Sequence, residues 1–248
     1  MILCSLLTQA ATLSGVVNDV NGQPVAEISV YAYTLTGTSF RTETAADGSW
    51  LLEDLPEDQQ FRVRAVPPDA SGAPNVVERY YPDAWEFCDS EKVAGGTSDL
   101  LMSLPEGGQI TGKILTPEGT PLAGAYVVCA GMSSRYAQVG GVGLTDENGD
   151  FLVSGLDADP NNDTYHGCEV YDSDYPTQYF GPTYDVVDND YVAVRPGQTT
   201  DAGTHTLLPG IQVSGTIWGP DDVVPPGGAV YVYASSQVVG VPVGEDGR

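Results

Sequence analysis

The chain has 248 residues, with 34 acidic against 9 basic side chains and a net charge of −25. Lys92 and Lys113 are its only lysines, which excludes a phosphate-tracking surface for nucleic acid and docking on anionic lipid. Apolar residues come in short runs, too short to span a bilayer, so membrane insertion is excluded and the length suits two ordinary domains with a remainder.

In chain order, Met1 to Leu7 is apolar, short and without a basic start. Within an N-terminal remnant, residues 1–11, it fits the tail of a clipped or miscalled signal peptide, so the expectation of secretion rests on fold type and composition and not on a readable signal. Strand signals follow. Alternation marks Ile28 to Tyr33 and Phe61 to Val66, and the first module, residues 12–107, carries strands near 12–18, 27–34, 38–44, 49–53, 60–66, 76–81 and 98–104. The second module, 108–209, carries them near 109–115, 124–130, 136–144, 150–154, 164–171, 177–181 and 202–208. Residues 210–248 start a third module and stop at the turn Asp246-Gly247, so it is incomplete and the chain reads as a piece of a longer protein. Thirty glycines and 18 prolines cluster between strands, and Asn21-Gly22, Asp47-Gly48, Asn148-Gly149 and Asp246-Gly247 are hairpin turns. No amphipathic helical stripe runs for a dozen residues without a Gly or Pro. The expectation is all-β, in tandem seven-stranded antiparallel sandwiches.

A repeat supports the division. Leu13-Ser14-Gly15-Val16-Val17 returns as Ile110-Thr111-Gly112-Lys113-Ile114 and as Val213-Ser214-Gly215-Thr216-Ile217. The glycines lie roughly a hundred residues apart, one small domain each. The linkers Leu104-Pro105-Glu106-Gly107-Gly108 and Leu208-Pro209-Gly210 are short, so the modules are expected to stack as a semi-rigid rod.

Ser14-Gly15-Val16-Val17, Gly22-Gln23-Pro24-Val25-Ala26, Asp47-Gly48-Ser49-Trp50, Asp54-Leu55-Pro56 and Phe61 to Ala65 resemble the carboxypeptidase regulatory-like domain. The second module matches through Thr111-Gly112-Lys113-Ile114, Gly119-Thr120-Pro121-Leu122-Ala123-Gly124-Ala125, Asn148-Gly149-Asp150-Phe151 and Gly155-Leu156. The resemblance implies a transthyretin (prealbumin)-like sandwich, related to collagen-adhesin B-type and starch-binding-like modules. Such modules accompany metallocarboxypeptidases or form arrays in bacterial surface proteins. The matched residues are turn glycines, prolines and core apolars, so the resemblance speaks to fold and not to activity.

Five constellations bear on function. His166 and Glu169 have the HxxE spacing of zinc peptidases, with His205 as a third ligand, but on a strand residues three apart face opposite ways. Asp157, Asp159, Asp163 and Asp185, Asp188, Asp190 offer oxygens for structural calcium; solvated acidic loops are the plainer reading. Asp146 to Asp150 opens like an EF-hand loop but lacks its spaced glutamate. Tyr80, Tyr81 and Trp85 correspond to Tyr179, Phe180 and Tyr184 and form either a carbohydrate platform or core and loop cover. Cys129 and Cys168 point into one module, as a disulfide or as two buried thiols.

An internal lysine–asparagine crosslink is not expected, because Lys113 faces no asparagine in Thr204-His205-Thr206-Leu207. Nor does the sequence require a cofactor, calcium being the one candidate. The reading is a non-catalytic extracellular or cell-surface protein, a structural or adhesive stalk. Its partners are an extracellular protein or polysaccharide and the neighbouring modules of its own chain. The alternative is a carbohydrate-binding accessory module of a secreted or surface hydrolase.

Overall fold

The computed structural model describes residues 10–68, 72–131, 140–181, 183–184, 188–210, 215–216, 229–234 and 237–242. These contain no α-helix; besides strands, turns and loops they hold 3-10 helix at Phe87–Asp89 and at Asp188. No helix among them is long and apolar enough to cross a membrane.

In the first repeat, β1 (Ala11–Asp19) lies between β4 (Ser49–Leu55), antiparallel, and β8 (Leu100–Leu104), parallel. The facing sheet runs β3 (Ser39–Glu43), β2 (Ser29–Thr34), β5 (Gln60–Val66) and β6 (Arg79–Tyr80), with β7 (Val93–Ala94) also on β5. The second repeat uses the same plan. Strand β9 (Gly108–Leu115) lies between β12 (Asp150–Leu156) and a parallel β16 (Thr199–Thr206). Facing it run β11 (Gly140–Leu144), β10 (Tyr126–Gly131), β13 (Thr164–Tyr171) and β14 (Gln178–Tyr179), with β15 (Tyr191–Val194) also on β13. A hairpin follows, β17 (Ala229–Ala234) with β18 (Gln237–Pro242).

Period-two patterning builds each core. Phe61, Val63 and Ala65 of β5 are fully buried while Arg62 and Arg64 between them face outward. In β13 the inward set is His166, Cys168 and Val170. One apolar cluster gathers residues of the first sandwich, from Ala11 to Leu104, and another those of the second, from Ile110 to Leu207.

Two features refine the all-β expectation. Among the described residues each repeat has eight strands, because β7 and β15 add to the seven traced in the sequence; two and four residues are too few for alternation to show. The first and last strands pair in parallel, since the last one crosses from the facing sheet and no hairpin fixes its direction. That pairing explains the recurring glycine. A Cβ on Gly15 would sit 2.0 Å from the Leu100 carbonyl oxygen of β8, and one on Gly112 would meet the Gly203 oxygen of β16 at 2.7 Å.

Candidate functional site

Tyr80, on the outward side of β6, lies edge-on to Phe87, with the Arg64 guanidinium 5.4 Å from its ring centre. Tyr81 is partly buried against the first core. The Trp85 ring is covered by the guanidinium of buried Arg79 at 3.0 Å. In the second repeat Phe180 belongs to the core, edge-on to Phe151 and stacked on His205 at 5.0 Å. Tyr179 is half-buried on β14, and the Tyr184 hydroxyl donates to the Pro209 carbonyl. These rings are therefore engaged by the protein's own groups.

The acidic groups are dispersed. Asp159 accepts from the Asn161 amide at 2.7 Å and from the Asn162 side chain, bonds that hold its carboxyl below the ordinary range. Asp163 pairs with Arg195, and Asp157 is buried near Arg79 of the other repeat. Burial pushes the Asp157 carboxyl up, and the Arg79 charge opposes that shift. Asp188 and Asp190 are exposed, and Asp185 lies outside the described residues. In the Asp146 turn, the Asn148 and Asp150 amides both donate to the Asp146 carboxylate, which lowers its pKa. Among the described residues, no group of three or more His, Cys, Asp or Glu side chains is arranged to hold a metal ion.

His166 and Glu169 do face opposite sides of β13, the first fully buried and the second half-exposed. Neither His166 ring nitrogen makes a well-formed hydrogen bond among the described residues. Burial pulls its pKa down to about 4, with the Thr164 backbone opposing. The unfolded imidazole titrates near ~6.5, so as pH falls the unfolded chain takes up a proton before the folded one does. The second repeat is expected to hold this contribution in full above pH 6.5, lose about 3 kcal/mol down to about pH 4, then level off. His166→Phe, which installs the residue at the matching position of the first repeat, Phe61, should flatten that slope in urea midpoints measured against pH. An unchanged slope would assign the effect elsewhere. Cys129 and Cys168 stand directly opposite each other on β10 and β13 and form a disulfide. Cys88 is free and exposed, and Cys4 lies outside the described residues.

What the sequence did not disclose is the junction between repeats. The Asn75 amide nitrogen donates to the Gly107 carbonyl at 2.7 Å, and its oxygen accepts the Gly155 amide of the second repeat at 3.0 Å. The Asn75 carbonyl accepts the Gly107 amide, and the Pro105 carbonyl accepts the Val77 amide. Gly197 of the second repeat donates to the same Gly107 carbonyl. The surfaces meet closely: a Cβ on Gly107 would lie 2.8 Å from the Gly155 Cα, and one on Gly155 (φ +72°) would lie 2.9 Å from the Val76 oxygen. Only glycine fits at both positions. Asparagine in a Pro- and Gly-rich stretch, Gly72-Ala73-Pro74-Asn75, gave the sole hint, and it reads as an ordinary loop.

No protein-family model matches the chain. No curated protein matches it either. Among solved structures it is similar to the Bacillus anthracis TIE protein, at 12% identity and a TM-score of 0.31, covering 80% of this chain and 33% of that one. A streptococcal ancillary pilin aligns at 11% identity and a TM-score of 0.33, covering 80% of this chain and 63% of the pilin. BcpA, the major pilin subunit of Bacillus cereus, aligns at 10% identity and a TM-score of 0.26, covering 96% and 83%. The chain thus spans less than two thirds of the first two. At these scores each is a likeness only, and the sandwich architecture rests on the strand pairing described above.

Proposed function

We propose that the chain is a non-catalytic, extracellular structural stalk. It divides into modules at 12–107 and 108–209, with a third beginning at 210, of the carboxypeptidase regulatory-like type. One observation carries the reading: Asn75 bonds the linker at Gly107 and the second repeat at Gly155, so a short connection is locked on both sides. A hinge would leave these groups to water. A locked junction converts two autonomous cores into one stiff unit, and its reach then grows with each added repeat. The net charge of −25 keeps such rods apart in solution, and a disulfide suits an oxidising compartment.

Asn75→Ala tests the reading. It strands the Gly107 oxygen and the Gly155 amide, and is expected to cost about 1–2 kcal/mol. Both repeats should lose stability, the first followed by Trp50 fluorescence and the second by far-ultraviolet circular dichroism. A loss confined to the first repeat would mean that the junction is not shared.

A further inference from the structure

Two sandwiches with one plan need similar cores, whereas their outward faces are free to differ. On the outer face of the sheet β3-β2-β5 the first repeat carries Tyr31, Tyr33, Arg41, Arg62 and Arg64. By strand register the second repeat has Val128, Ala130, Val142, Gly167 and Glu169 at those places. The fold therefore does not require the aromatic and arginine set. Its three arginines are a third of the 9 basic residues in the chain.

The set is ordered. Tyr31 and Tyr33 stack on each other with ring centres 5.8 Å apart and planes within 16°, and Phe87 meets the Tyr33 ring edge-on at 6.3 Å. The Arg41 guanidinium lies 5.8 Å from the Tyr31 ring centre and donates to Ser29 Oγ at 2.9 Å and to Glu43 at 2.6 Å. Arg62 is held by the Phe87 and Ser90 carbonyls, and Arg64 forks onto Glu78. Where Pro67 approaches Gly155, an open groove of about 540 Å³ is walled by Tyr31, Arg41, Glu43, Ser29 and Pro67. That volume is in the range of small-ligand sites, ~300–1,000 Å³.

Charge decides what fits. Arg41, Arg62 and Arg64 are balanced on this face and at its groove by Glu27, Glu43 and Glu78, so the patch is neutral while the chain as a whole repels polyanions. Fixed guanidinium donors beside fixed carboxylate acceptors match hydroxyls, which both donate and accept. The Tyr31–Tyr33 stack between them gives an apolar flank against which a pyranose ring can pack. We propose that this face binds a neutral polysaccharide along the Tyr31–Tyr33 stack, with Arg41, Glu43 and Ser29 taking hydroxyls in the groove.

Calorimetric titration of the full chain with maltohexaose, cellohexaose, laminarihexaose and mannohexaose tests this, with polygalacturonate as the anionic comparison and sedimentation velocity for self-association. At least one neutral hexasaccharide should bind. Tyr31→Ala, Tyr33→Ala and Arg41→Ala should each weaken it by about tenfold or more, with native Trp50 fluorescence retained. Tyr126→Ala, on the exposed outer face of the second repeat, should leave it unchanged. The proposal is overturned if no neutral hexasaccharide binds at millimolar concentration, or if the three variants bind like the native chain. Tighter binding of polygalacturonate, or dimerisation abolished by Tyr31→Ala, would also overturn it. None of these outcomes bears on junction stiffness, so the stalk reading stands or falls separately.

Discussion

Gly15→Ala is expected to unfold the first repeat, at a cost of more than about 4 kcal/mol. The added methyl would lie 2.0 Å from the Leu100 carbonyl oxygen and 2.9 Å from the Leu100 Cβ. Both belong to β8, which is registered directly beside Gly15 in the parallel pair. Backbone cannot rotate away as a side-chain tip can, so strand β8 must leave or the sheet must open. Gly112→Ala should be milder, about 2–3 kcal/mol, because the nearest atom is 2.7 Å away and the Phe151 ring beside it can shift. The order is the informative part. Trp50, paired opposite Gly15 and buried, reports the first transition by its fluorescence during urea unfolding. Equal midpoints for Gly15→Ala and the native chain would remove the close-approach explanation of the repeated glycine.

The disulfide carries the second large effect. Cys129 and Cys168 are 39 residues apart in sequence, and a closed loop of that length stabilises by about 4 kcal/mol through the entropy of the unfolded chain. The first repeat supplies a clean replacement. Its register-equivalent pair is Ala32 and Val63, which fill the same core position without a bond. Cys129→Ala with Cys168→Val is therefore expected to lower the stability of the second repeat by about 3–4 kcal/mol without opening a large cavity. Dithiothreitol on the native protein should approach the same value, while the first repeat stays unmoved. A double variant as stable as the native chain would show that packing alone holds this sandwich.

The large architectural facts were legible because they have long signals. Alternation in Phe61 to Val66 fixed which side chains enter the core. Asp47-Gly48 and Asn148-Gly149 are turns but not the expected hairpins: each carries the chain from one sheet to the facing one, β3 to β4 and β11 to β12, while Asp246-Gly247 lies outside the described residues. Val93–Ala94 escaped because two residues have no period. Thr44 escaped for a different reason. Its hydroxyl accepts the Ile28 amide and donates to the Val25 carbonyl inside the first sandwich, as Thr145 does for the Ala125 amide in the second. A buried threonine and a surface one look alike in sequence. The candidate sites were less legible still. Tyr81 and Trp85 have the composition of a sugar platform, yet whether a ring is bare depends on Arg79, which comes to rest over Trp85 only through folding. Tyr31 and Tyr33 stood out only as strand alternation, because their arginine neighbours come from β3 and β5, distant in the chain. Asn75 joins groups 32 and 80 residues away, and nothing local marks it.

The stiffness of the junction between Gly107, Asn75 and Gly155 can be measured directly by spin-label distances. The exposed native Cys88 labels the first repeat and Ser173→Cys the second, with Cys4→Ser leaving no other cysteine outside the disulfide. A single narrow distance distribution is expected, broadening when Asn75 is replaced by alanine. A broad, many-peaked distribution with Asn75 in place would contradict a locked rod.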